Sequence, residues 1–158
     1  MSLKMRRVVT GHDRDGRAVV KIDEMVKNVQ SRRPHMSSAV IWSTDTIPVS
    51  NDGDEDQSSL PKGTTIENGT VFRVVRYEPG VTPRRHRTDS VDYAVVIQGE
   101  IDMELDGETV TLKQGDVLVQ RGTIHDWINK GDKPCVIAFV LIDAPAVTID
   151  GKPLTHVN

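Results

Sequence analysis

Two of the chain's five histidines, His86 and His125, lie in the stretch whose residues alternate most like β-structure. An imidazole titrates near neutrality, so two of them facing one apolar interior can take a proton from a small carbonyl compound and return it. That is the chemistry of a dehydration, an isomerisation or a decarboxylation. Trp127 follows His125 by two residues, which on a strand puts both side chains on one face. It is read either as a wall for a ring substrate or as a core tryptophan. Arg84, Arg85 and Arg87 surround His86, and Arg73, Arg76 and Arg121 fall on nearby predicted strands. An inward-facing arginine would suit a carboxylate through bidentate pairing. Most of these read as a solvated rim. Arg73 and Arg121 are the candidates for the interior, because alternation forces each to choose a face. Tyr93 is expected in a core or an interface, His12 and His35 in solvent, and His156 in an uninvolved tail.

The elements that must hold these residues are short strands. Arg6–Thr10 and Arg17–Ile22 flank the turn Asp13-Arg-Asp-Gly16, which reads as a hairpin, and Ser38–Ser43 follows. Whether Ile22–Gln30 contains a helical turn is left open by its short periodicity. Pro48–Gly69 is rich in Asp, Ser, Gly, Pro and Thr and reads as a long solvated connector, with a lid as the alternative. Ile101, Met103 and Leu105 then alternate with Asp102, Glu104 and Asp106, the period of a strand with one wet face. Asp106-Gly107 offers a tight hairpin turn of positive φ, and Gly99 a tight turn before that hairpin. Further runs at Val117–Gln120, Ile124–Ile128 and Val136–Ile142 complete an all-β pattern of a sandwich or barrel. The expected organisation is one domain: residues 1–47 as extra N-terminal strands packing on the barrel or on a partner subunit, 48–69 as loop, 70–145 as barrel and 146–158 as tail.

With 158 residues, a net charge of −3 and a sequence pI near 5.9, nothing attracts nucleic acid or an anionic membrane surface. The longest apolar run, Cys135–Ile142, is far short of a membrane span, and the N-terminus lacks the apolar segment of a secretory signal. The single cysteine, Cys135, reads as a buried small hydrophobe in a reducing, cytoplasmic setting. Val136–Ile142 is apolar at both parities, which points to a second protein surface on its outside and hence to a homodimer.

The stretch Gly80-Val-Thr-Pro-Arg-Arg-His86-Arg-Thr88-Asp-Ser-Val-Asp92-Tyr-Ala-Val-Val-Ile-Gln-Gly99 resembles the first cupin motif. Gly80, His86 and Gly99 occupy the motif's own positions, Thr88 stands in the place of its second histidine and Asp92 in that of its glutamate. Gly115-Asp-Val-Leu-Val-Gln-Arg-Gly122-Thr-Ile-His125-Asp-Trp-Ile-Asn129 resembles the second motif, one residue short before Gly122 and without its usual proline. The resemblance implies a single antiparallel cupin β-barrel, also described as a double-stranded β-helix or jelly roll. It further implies a small single-domain subgroup, some of whose members are associated with polyketide or aromatic metabolism.

In the family these positions bind a divalent transition metal, so the resemblance implies His86, Asp92 and His125 as ligands of iron, manganese, nickel or zinc. Two imidazoles and a carboxylate would suffice for a non-haem iron site with open positions. Asp92 is one methylene shorter than the family's glutamate and so stops about an ångström short, against coordination tolerances of ~0.2 Å. Asp89 is an alternative carboxylate. The competing reading is a pocket without metal, in which His86, His125 and Asp92 act as acid and base or bind an organic ligand, with Thr88, Trp127, Arg73 and Arg121 around it. The first functional expectation is an enzyme, an oxygenase or a lyase, acting on a small oxygenated, aromatic or polyketide-type substrate. The second is a non-catalytic cupin that binds a small ligand.

Overall fold

A computed structural model describes residues 2–61, 63–155 and 157. The described residues form strands, with one 3-10 turn among them at Gln57–Ser59. In order they are β1 (Arg6–His12), β2 (Ala18–Met25), β3 (Gln30–Arg33), β4 (Met36–Thr44), β5 (Thr70–Tyr77), β6 (Ser90–Gln98), β7 (Glu100–Glu104), β8 (Thr109–Lys113), β9 (Val117–Arg121), β10 (Asp126–Ile128), β11 (Cys135–Asp143), β12 (Thr148–Ile149) and β13 (Lys152–Pro153). All pairings are antiparallel. A six-stranded sheet in the order β3-β4-β5-β11-β6-β9 faces a three-stranded sheet in the order β10-β7-β8. Ile22–Met25 belongs to β2, so the helical option for that stretch is not taken up.

Alternation on each strand builds the core. Val75, Tyr77, Ala94, Val96, Ile137, Phe139 and Leu141 of the large sheet meet Ile101, Met103, Leu112 and Trp127 of the small one. Burying each large aliphatic or aromatic side chain contributes roughly 1.5–3 kcal/mol, which makes this layer the main source of cohesion. Cys135 is fully buried among them, and burial pushes its thiol pKa up to about 12. The turn from β6 to β7 passes so close to β11 that a Cβ on Gly99 would lie 2.3 Å from the Pro134 carbonyl oxygen, and its φ of 79° also favours glycine. The β7–β8 hairpin forms as expected, but neither Asp106 nor Gly107 has positive φ; the link closes by Leu105 N–H donating to the Glu108 carbonyl, 2.8 Å.

A second, smaller cluster explains why β11 is apolar at both parities. Val136 and the half-buried Ala138 point outward, where Leu3, Ala39, Ile41 and Val74, with Met5, Val26 and Val29, cover them. That part of the outer surface is closed by the chain's own N-terminal region. The β1–β2 hairpin turns at Asp13, whose carboxylate accepts from the Asp15 and Arg17 amides. Buried Arg7 on β1 ties this hairpin to the rest: it donates to Glu24, to the Ile41 carbonyl and to Asp56 in the 45–69 connection. Among the described residues no helix is long and apolar enough to cross a membrane.

Candidate functional site

The two sheets splay at one end around a cavity of about 380 Å³. His86 and His125 come to its wall from two loops that pair with each other. His86 N–H donates to the His125 carbonyl and His125 N–H to the His86 carbonyl, both at 3.0 Å. Asp126 secures the crossing, accepting from the Arg84 amide at 2.8 Å. The ring centroids are 4.3 Å apart, tilted by 56°. Each Nδ1 lies against a main-chain carbonyl two residues earlier, His86 on Arg84 at 2.8 Å and His125 on Thr123 at 2.9 Å. A carbonyl only accepts, so each Nδ1 carries the proton and each Nε2 keeps its lone pair. Burial lowers both pKa values, that of His125 to about 4, so each ring prefers its neutral form.

Asp92 reaches the same cavity from β6, 5% exposed, and accepts from Ser90 Oγ at 2.6 Å. Burial raises its pKa to about 6, against the opposing effect of the Ser90 hydroxyl. Thr88 lines the cavity as well. Trp127, 2% exposed, is both a core residue and a cavity wall: it lies edge-on to His125 at 5.8 Å and to Phe139 at 5.8 Å, and is stacked with Tyr77 at 6.0 Å.

Of the two arginines expected to choose a face, Arg73 turns inward and Arg121 outward. Arg121 is exposed at the end of β9 and is not part of the cavity wall; its neighbour Gln120, 3% exposed, occupies the inner face opposite Asp92. The period of two cannot tell which parity of a strand faces in until its partner is known, and the β6–β9 register supplies that. Arg73 donates from Nη2 to Ser38 Oγ at 3.0 Å, and its buried Nε has no partner among the described residues. Arg32, Arg33 and Arg84 complete a basic mouth. Arg76 pairs with Glu78, Arg85 with Asp106, and Arg87 donates to the Gly122 and Thr155 carbonyls, so these three belong to the rim and frame. Tyr93 is exposed on the opposite face from Asp92, and His12 and His35 are exposed. His156 lies outside the described residues.

Among the described residues no three His, Cys, Asp or Glu side chains come close enough to share an ion. His86 and His125 present two imidazole nitrogens, and Asp92 does not join them; its carboxylate is occupied by Ser90 and prefers its proton more than an ordinary aspartate does. The three-ligand set implied by the motif does not fit this arrangement, and Asp89 does not complete it either.

Comparison with known proteins agrees with the architecture. A family model described as the cupin domain matches residues 73–142. The chain is 38% identical over 161 aligned residues to the phomopsin biosynthesis cluster protein C' of Diaporthe leptostromiformis, covering 96% of this chain and 85% of that one. It is 36% identical over 156 residues to the cupin-domain-containing oxidoreductase fogC of Aspergillus ruber, covering 94% and 77%. Among solved structures, an uncharacterized conserved protein with a double-stranded β-helix domain from Klebsiella pneumoniae superposes with a TM-score of 0.52 at 20% identity, over 74% of this chain and 84% of that one. At that identity the likeness speaks for the fold alone. With the fold, the paired motif histidines and relatives that match over most of their length in agreement, this chain belongs to the cupin family.

Proposed function

We propose that the protein is a small-molecule enzyme that moves protons on an oxygenated, polyketide-type or aromatic substrate, as a dehydratase, isomerase or decarboxylase does. The observation that carries this reading is the pair of neutral imidazoles whose Nδ1 protons are bonded to main-chain carbonyls, leaving each Nε2 its lone pair, with no partner for either among the described residues, beside an aromatic-walled cavity. In a dehydration, the Nε2 of one histidine takes the proton from the carbon next to a carbonyl, and the electron pair moves to form the new double bond. The leaving hydroxyl departs as water with a proton supplied by Asp92, whose raised pKa keeps part of it protonated near neutrality. The imidazolium then returns its proton to the carboxylate, which balances the cycle. The names of relatives from biosynthesis clusters support a place in small-molecule metabolism.

A second reading, metal-dependent oxygenation, is favoured by the relative named an oxidoreductase and by two ring nitrogens that share one wall. The two separate in one experiment. Protein freed of metal with chelator and then reloaded with iron, manganese, nickel or zinc is assayed for turnover and metal content. The proton-transfer reading expects activity that survives chelation; activity that vanishes and returns with one metal at near-stoichiometric content supports the oxygenase and overturns the first. A non-catalytic ligand binder would turn over nothing in either state.

The expected homodimer and cytoplasmic setting are part of the same proposal. Phe72, Val140, Tyr93 and Val119 stand in cross-strand register on the outer face of the large sheet, with Val95 and Val117 beside them. Five of these six are exposed, and none of the six carries a charge. A two-fold axis sets such a row against its own copy, so a second copy of this chain is the occupant it suits.

A further inference from the structure

Two buried side-chain polar atoms have no hydrogen-bond partner among the described residues, Arg73 Nε and Gln120 Oε1. They sit on the wall of one cavity, on β5 and β9, and they are opposite in kind. One belongs to a cation that can only donate, the other is a neutral acceptor. A buried group left unpaired costs far more than a paired one, and a charge more than a neutral group. Burial works against the Arg73 charge, and nearby Arg32 and Arg84 add to the effect. No carboxylate pairs with Arg73: its bond among the described residues is to the Ser38 hydroxyl. The cavity's own carboxylate, Asp92, bonds Ser90 and lies opposite Gln120.

We infer that the cavity is built for a small hydroxy-carboxylic acid, its carboxylate held by Arg73, its hydroxyl donated to Gln120 and its unsaturated body against Trp127 and Phe139. The inference rests on reading this cavity as the substrate site and names the class of substrate. A planar carboxylate matches the fork of Arg73, whose buried Nε has no partner among the described residues. The basic mouth formed by Arg32, Arg33 and Arg84 favours entry of an anion. About 380 Å³ is the volume of a pocket for a compact, ring-sized molecule. In this role Arg73 and Gln120 are binding residues, and proton transfer stays with the histidines.

The test is calorimetric titration of the full chain with 2-hydroxybenzoate, its neutral amide 2-hydroxybenzamide, and benzoate, which lacks the hydroxyl. The acid is expected to bind at least about tenfold more tightly than the amide, and Arg73→Gln to abolish that difference. Gln120→Leu is expected to remove the preference for 2-hydroxybenzoate over benzoate while keeping that for acid over amide. Arg73→Lys, which keeps the charge and loses the fork, should fall between. The unliganded Arg73→Met protein should melt no lower than wild type, since it loses an unpaired buried cation, and 2-hydroxybenzoate should raise the melting temperature of wild type but not of this variant. Acid and amide binding equally well, or a difference that persists in Arg73→Gln, would overturn the inference while leaving the cavity a ligand site. If none of the three ring compounds binds wild type, the reading of the cavity as a substrate site falls with it.

Discussion

His86 and His125 spend their Nδ1 protons on the carbonyls of Arg84 and Thr123, and this leaves both rings facing the cavity with an acceptor. Burial then sets opposite preferences within one wall. Asp92, with a folded pKa of about 6 against ~3.9 unfolded, loses stabilisation as the pH rises between those values. His125, with a folded pKa of about 4 against ~6.5 unfolded, contributes stability that is present above pH 6.5 and lost as the pH falls towards 4. Between about pH 4 and 6 the two slopes oppose each other. Asp92→Asn removes one of them, so urea denaturation should show a variant more stable than wild type at pH 7, by as much as about 3 kcal/mol. The same variant should lose stability more steeply on acidification from pH 6.5 to 4. A variant with an unchanged pH slope would show that Asp92 is not held in its protonated form by the fold. The histidines were legible in the sequence because the two motifs fix their place in the chain. The place of Gln120 was not, because its position inside the second motif assigns it no role, and only the pairing of β9 with β6 puts it opposite Asp92.

At the scale of elements, the N-terminal hairpin and the 45–69 connection are joined through one buried guanidinium. Arg7 donates to Glu24 at 2.8 Å and to Asp56, and its partners remain partly exposed while Arg7 does not. Replacing Arg7 with methionine leaves those carboxylates free to find water, so the cost should be that of lost charged hydrogen bonds, about 1.5–3 kcal/mol. It should also open the 45–69 connection to limited proteolysis at a concentration where wild type is resistant; equal resistance would mean that the Ser43 hydroxyl, which donates to the Gln57 carbonyl, and the Lys21–Asp54 ion pair hold the segment without Arg7. Thr64 of this connection lines the cavity, which gives the loop a contact with the site. The strands themselves could be read from alternation and the Gly and Asp punctuation. Two details could not. The two-residue turn at Asp106-Gly107, closed by the Leu105 N–H on the Glu108 carbonyl, is made without positive φ, and the outer face of Val136 and Ala138 is covered by Leu3 and Met5 from the far end of the chain.

At the scale of the whole molecule, the β3–β4 strands extend the large sheet at one edge and leave β9 as the other. The uncharged row Phe72–Val140–Tyr93–Val119 runs across this sheet to β9, and light scattering during size exclusion should report twice the 17.5 kDa of one chain. Tyr93→Glu with Val119→Glu should return the monomer mass with the strand signal in circular dichroism unchanged, and a wild-type monomer would remove the homodimer from the account. The central claim, proton transfer at the histidine pair, is tested most directly by solvent deuterium incorporation. The full chain is incubated in deuterated buffer with 3-benzoylpropanoate, which carries a ring, a ketone and a carboxylate, and exchange at the carbon next to the ketone is followed by proton NMR. The account predicts exchange well above buffer, lowered about a hundredfold or more in His86→Ala and in His125→Ala. Exchange no faster than buffer in a protein that binds the compound, or an unchanged rate in both variants, would contradict it.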